Sequence, residues 1–313
     1  MPAERRLSLV TGLFDLARRE ASGRRSVDEY LRHARYVLSR PVDLVAHVDR
    51  ELIGRVARIR EEFDHGLART RLIPTDLEEL PWYGRLEEIR LARKRNPVRN
   101  ANPEKDTPRY IALTWTKFQL LRSAVDANPF AATRLGWIDI GLAHVANTSV
   151  AAAGLAFDVV HVPDRVRLEI LRPFTPAEVF APDYFRHLHG IVALGYCTGD
   201  LDRLRQLCDL FDREVEAALA GGFAPSEEQI VPRIFAAHPH LFAPYDGDYH
   251  TILVNYAGMR AGVSKLVGDL RRAEALGEMA GAARLRSALQ TSWGQRRIAL
   301  SGAALALVLG RTS

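Results

Sequence analysis

Cysteine is scarce in this chain: Cys197 and Cys208 are the only two among 313 residues. They cannot build a disulfide framework or a four-cysteine zinc site, and they fit a reducing compartment. Lysine is scarce too, with only 4 of the 43 basic residues being lysine and the rest arginine. Two readings of that excess stand open: coding bias in the source genome, or recognition of phosphate by the planar guanidinium fork. A large surplus of one charge is also missing. A net charge of +5 is too mild to imply nucleic-acid binding. No apolar run is long enough to span a bilayer. The most apolar stretch, Ile298 to Leu309, reads as a buried C-terminal helix, or alternatively as an anchor on a membrane surface. The N-terminal apolar run is broken by Asp15 and has no small-residue cleavage site, so no signal peptide is read. A cytoplasmic location is expected, with the inner face of the membrane as its peripheral variant. Three phosphate and nucleophile motifs are missing as well: G-x-x-x-x-G-K-[ST], G-x-G-x-x-G and G-x-S-x-G.

What is there reads as alternating strands and helices. Leu7 to Leu13 is a strand. Ser26 to Leu38 is a helix that opens on a capping box, Ser26 with Glu29 three residues on. Val42 to Val48 is a buried strand ending at Asp49, Leu52 to Phe63 a helix, and Thr70 to Pro74 a third strand. That order predicts an α/β fold with a parallel sheet and crossover helices. Arg90, Arg93, Lys94, Arg95 and Arg99 lie in a stretch without acids near Pro97 and Pro103, which predicts a loop-rich insertion. It is either a solvated loop or a contact for a phosphorylated ligand or an anionic surface. Tyr110 to Val125 is a helix ended by Asn128-Pro129, and Arg134 to Ile140 a strand. Val159 to Val162, Arg165 to Leu171 and Ile191 to Tyr196 are further candidate strands. Asp202 to Leu219 is a helix, Ser226 caps the next one, and the chain from about Met259 reads as helical.

Several groups could carry chemistry, each with a plainer reading beside it. Asp139, in Trp137-Ile138-Asp139-Ile140-Gly141, falls where a strand ends, which is where open α/β sheets bind ligands. Such an acid can hold a divalent cation, and Gly141 lets a ligand approach the backbone. It is equally an acid in a turn. Glu227 and Glu228 open a helix, where they could accept a proton or merely complement the dipole. His250, in PYDGDYHTILVNY, could be a metal ligand or a structural histidine. Asp200-Leu201-Asp202 spells D-x-D but reads as a helix cap. His187/His189 and His238/His240 lack zinc-site spacing.

The ordered set of motifs resembles the HtrL/YibB (WlaTC-like) family of bacterial surface-polysaccharide loci. The residues that carry it are VTGLFDLAR, Tyr110 with Lys117, WIDIG, GYCTGD, EEQ, HPHLF, YDGDY and NY, from Leu7 to Tyr256. The resemblance implies a GT-A-like (Rossmann-like) catalytic domain over residues 1–257, followed by a helical C-terminal extension over 258–313. It implies a glycosyltransferase that moves a sugar from a nucleotide-sugar donor to a hydroxyl acceptor, a glycan or a small molecule. On that reading Thr11, Gly12, Asp49, Lys117, Trp137, Asp139, Gly141, Tyr196 and Gly199 approach the donor. Glu228, or Glu227 beside it, is the base. Asp248, Tyr249 and His250 face the acceptor. Asp139 and His250 are the candidate ligands of a divalent cation, Mn²⁺ or Mg²⁺. The D-x-D found in many GT-A enzymes is incomplete here because Gly141 fills its third position, so Lys117 or the Arg90 to Arg99 cluster could neutralise the diphosphate instead. Two alternatives stand beside this: a nucleotide-binding protein of the same fold without turnover, and a basic anion-binding protein.

Overall fold

The computed structural model describes residues 5–16, 26–63, 67–103, 105–148 and 151–257, and separate positions between 270 and 287. Strand β1 (Leu7–Leu13) alternates its side chains between two apolar layers, with Leu9 and Leu13 in one and Val10 in the other. Helix α1 (Val27–Leu38) is capped by Ser26, whose hydroxyl accepts from the Glu29 backbone N–H at 3.2 Å. It buries Leu31, Ala34, Val37 and Leu38. Strand β2 (Asp43–Val48) is buried throughout, as a parallel strand covered on both faces must be. Helix α2 (Ile53–Glu61), strand β3 (Thr70–Pro74), helix α3 (Leu86–Arg95), helix α4 (Pro108–Ala127) and strand β4 (Arg134–Ile138) follow. Beyond them come β5 (Arg167–Ile170), β6 (Val192–Asp200), α5 (Leu201–Ala220), α6 (Glu227–Ala237) and the short β7 (Tyr245–Asp246).

The seven strands form one sheet in the order β3-β2-β1-β4-β6-β5-β7. The pairs β1–β2, β1–β4, β2–β3 and β5–β7 are parallel, and β6 runs antiparallel to both its neighbours. The fold is therefore α/β, a mostly parallel sheet flanked by helices. The reversal of β6 has a functional consequence. Its first residues lie beside the end of β4, where Ile138 pairs with Tyr196. Gly136 of β4 is the tight point of that pairing: a Cβ there would lie 2.5 Å from the Cys197 carbonyl oxygen.

Helices α4 and α5 pack through Phe118 and Phe211, stacked with ring centroids 3.8 Å apart. Trp115 of α4 sits edge-on to Trp82 and donates its Nε1–H to the Pro225 carbonyl at 2.8 Å. That bond ties α4 to the segment leading into α6, and so fixes Lys117 against Glu227.

Two expectations need correction. The basic stretch from Arg90 is not loop-rich, because most of it is helix α3. Glu87 and Glu88 occupy its first turn and Arg93, Lys94 and Arg95 its last, so the charges complement the helix dipole, and Pro97 falls after its end. Val159 to Val162 is no strand. Val159–His161 is a 3-10 turn capped by the Asp158 side chain, with Val160 62% exposed and no sheet partner among the described residues. Asp200 does cap α5, accepting from the Arg203 backbone N–H at 2.7 Å. The helical extension expected over 258–313, with Ile298 to Leu309 in it, falls mostly outside the described residues. No helix among the described residues is long and apolar enough to cross a membrane.

Candidate functional site

Parallel strands β1 and β4 end at the same edge of the sheet, and a cleft of about 510 Å³ opens there. The segments after β1 and β4, helix α4, the start of α6 and the loop carrying Tyr249 all line it.

Lys117 sits at the base. Thr107 starts α4 by accepting from the Tyr110 N–H at 3.2 Å, and Lys117 follows almost three turns along. Its Nζ lies 3.2 Å from Asp139 Oδ1 and 3.3 Å from Glu227 Oε1, and donates to the Leu194 carbonyl at 3.1 Å. It also lies 5.6 Å from the centre of the Trp137 ring. Burial opposes the charge on this ammonium, but Asp139 and Glu227 outweigh it and hold its pKa above the ordinary lysine value. Asp139 is pinned from two further sides. Trp137 Nε1–H donates to its Oδ1 at 2.6 Å, and its own backbone N–H donates to the Gly195 carbonyl at 2.8 Å.

Glu228 is the group with unusual acid–base behaviour. Burial, and then the Glu227 carboxylate, push its pKa up to about 7. The Tyr249 hydroxyl, which donates to Glu228 Oε2 at 2.8 Å, and the Lys117 ammonium pull the other way. Burial and the Glu228 charge hold the Tyr249 phenol well above the ordinary tyrosine range, so it stays a donor. Tyr110 is raised in the same sense by burial, Glu227 and Asp139. The result is a carboxyl poised near neutrality in a partly apolar cleft, where it can accept and release a proton.

The cleft gathers Gly12, Lys117, Trp137, Asp139, Gly141 and the pair Glu227–Glu228, with Tyr249 at its edge. Four other expected donor contacts do not line it. Thr11 is buried, with its hydroxyl donating to the Ile138 carbonyl at 2.7 Å. Asp49 acts one step back: its Oδ2 accepts from the Asp15 N–H at 2.7 Å, and Asp15 lines the cleft. Tyr196 is wholly buried, with its hydroxyl on the Ala156 carbonyl and its ring against Tyr256. Gly199 pairs with Leu135, towards the other end of the sheet, because β6 runs antiparallel and carries its second half away from the cleft. In the expected acceptor segment, Asp248 closes a turn, its carboxylate accepting from the His250 and Thr251 N–H groups at 2.9 and 3.1 Å. His250 is exposed and does not line the cleft.

Three cleft residues were not singled out by sequence. Gly195 lies inside an apolar strand run, which is itself a sign of close backbone approach. A Cβ there would stand 2.7 Å from Leu142 Cδ1 and 3.5 Å from Asp139 Oδ2. Lys105 lines the cleft exposed, with no ion pair to a described residue. With Lys117 it makes two of the four lysines in an arginine-rich chain, and that rarity was the available signal. Tyr30 projects from α1 against Gly141, where a Cβ would meet its ring at 3.3 Å. From the basic stretch, Arg93 reaches the cleft, paired with Asp106.

The donor set is a poor fit for a divalent cation. Among the described residues no group of three or more His, Cys, Asp or Glu side chains could hold a metal ion. Asp139 Oδ1 already accepts from Trp137 and faces the Lys117 ammonium, which supplies the positive charge a cation would bring.

No curated protein matches the chain. Among solved structures, mouse xyloside xylosyltransferase 1 in its apo form is similar at 12% identity and a TM-score of 0.37, over 77% of this chain and 84% of that one. The family model described as "Bacterial protein of unknown function (HtrL_YibB)" matches residues 5–257. With that span covered, the chain belongs to the HtrL_YibB family.

Proposed function

We propose that this protein is a glycosyltransferase that moves a sugar from a nucleotide-sugar donor to a hydroxyl acceptor, with Glu228 as general base. The observation that carries this reading is the Glu228 carboxyl, set beside Glu227 and accepting from the Tyr249 hydroxyl in a cleft at the ends of parallel strands, where burial and Glu227 raise its pKa. A carboxylate of ordinary pKa is a weak base at neutral pH, and one near 7 balances ionised fraction against basicity.

The step balances as a single displacement. The acceptor oxygen attacks the anomeric carbon while its proton passes to Glu228. The bond from that carbon to the donor phosphate breaks, and the nucleoside diphosphate leaves with the bonding pair. The anomeric centre inverts. Lys105, exposed in the cleft and without an ion pair to a described residue, is the cation we assign to the leaving diphosphate, whereas Arg93 is already paired with Asp106. Lys117 is a positioning residue, because its charge is already matched by Asp139 and Glu227. No step is assigned to a metal.

Thermal-shift measurements with UDP-, GDP- and dTDP-sugars test the reading. At least one donor is expected to raise the melting temperature, and to do so less in Lys105→Gln. No shift with any donor, with or without Mn²⁺ or Mg²⁺, contradicts it.

A further inference from the structure

The opposite end of the sheet carries a second cavity, of about 650 Å³, where β1 and β2 begin. It is separated from the cleft by the length of β1, on the order of 20 Å. Arg5, Arg6, Arg40 and Arg69 line it, together with the Phe157 ring and Asp158.

These arginines exceed the acid beside them. Arg6 and Arg69 share one carboxylate, the fully buried Asp43. Arg5 and Arg40 form no ion pair with a described residue. Arg40 is nonetheless held in place, with its Nε–H donating to the Tyr36 carbonyl at 3.2 Å and its guanidinium 4.5 Å from the centre of the Tyr36 ring.

A fifth guanidinium stands behind the wall. Arg60 is fully buried and donates to the carbonyls of Leu38, Arg40 and Val42 at 2.8, 2.9 and 3.2 Å. No carboxylate lies within hydrogen-bond reach of it among the described residues. The C-terminal carbonyls of α1 would otherwise lend this end of the fold a negative potential. Arg60 opposes that potential at the Leu38 carbonyl and adds a positive charge in a poorly screened position. Fork-shaped donors around a cavity, with more positive charge than the acids beside them match and with Arg40 held in place, suit bidentate recognition of phosphate. The Phe157 ring gives the body of a ligand an apolar wall.

We propose that this pocket is a second ligand site, separate from the cleft, that binds a phosphate group through Arg5, Arg40 and Arg69. The phosphate could come from a soluble ester or from a lipid headgroup, and the exposed Leu155 and Val160 beside the pocket suit the second source.

Two arms distinguish the sources. One titrates inorganic pyrophosphate calorimetrically. The other sediments the protein with phosphatidylcholine vesicles containing phosphatidylglycerol, against phosphatidylcholine alone. Wild type and the cleft variant Lys105→Gln are expected to bind in at least one arm, and more weakly as salt rises. Arg5→Gln/Arg40→Gln is expected to bind at least about tenfold more weakly. Binding of pyrophosphate alone assigns a soluble ester, and binding of anionic vesicles alone assigns a headgroup. If the double variant unfolds, Arg5→Gln, at an exposed position, replaces it. No binding in either arm, equal binding by the arginine variants, or loss of binding only in Lys105→Gln overturns the proposal.

Discussion

Tyr249 donates its phenolic hydroxyl to Glu228 Oε2 at 2.8 Å. Tyr249 comes from the loop after β7 and Glu228 from the first turn of α6, so this bond ties the loop to the helix at the cleft. It also opposes the burial that raises the Glu228 pKa. Tyr249→Phe removes that opposition. The Glu228 pKa is expected to rise by roughly one unit, and the acidic limb of the pH dependence of kcat/KM to move to higher pH with it. A pH–rate profile of Tyr249→Phe identical to that of wild type contradicts the assignment.

Lys117 is the hub that keeps two carboxylates together. Lys117→Met leaves Glu227 without its cation in a nearly closed position, while Asp139, with 44% of its side chain exposed, is partly screened by solvent. A loss of about 1–3 kcal/mol is expected in urea unfolding, below the full penalty for breaking a buried pair. Lys117→Arg is not expected to restore wild-type stability, because a planar fork cannot place one point charge between two carboxylates and the Leu194 carbonyl.

Half-buried Glu228 and buried His47 give opposite pH dependences. Between 4.5, the ordinary value, and about 7, the folded chain keeps a proton on Glu228 that the unfolded chain releases. This contribution to stability is therefore lost as pH rises through that window. Burial lowers the His47 pKa from 6.5 to about 4, so the unfolded chain takes up a proton that the folded chain refuses. That contribution is lost as pH falls through its window. Glu228→Gln removes the first effect and leaves the second. Above pH 7 it is expected to be more stable than wild type by about 1–3 kcal/mol, with the difference vanishing near pH 4. Urea midpoints across that range check the sign.

Gly195 has no room for a side chain. In Gly195→Ala the new methyl would press on Leu142 and approach Asp139. A destabilisation of about 1–3 kcal/mol is expected by thermal unfolding, with donor affinity falling in the same variant.

Much of the first half was legible because its signals are local. Leu7–Leu13 and Thr70–Pro74 have the boundaries the apolar runs gave them, and Ser26 caps as its spacing requires. Helix α3 was missed because its acids, Glu87 and Glu88, lie just before the arginines that drew notice. In the site, Asp139 and Glu228 stood out as acids at element ends. Whether Tyr196 and Gly199 faced the same cleft depended on the direction of β6, a long-range property with no local signature. The Glu228–Tyr249 bond depended on the loop after β7 folding back onto the start of α6, which residue spacing does not record.

The most direct test measures release of nucleoside diphosphate from a panel of nucleotide sugars and hydroxyl acceptors, by wild type and by Glu228→Gln. Wild type is expected to consume one donor in an acceptor-dependent way. Glu228→Gln, still folded and still binding that donor, is expected to be slower by about 10²–10⁴-fold. Equal rates in the two proteins would contradict the role given to Glu228.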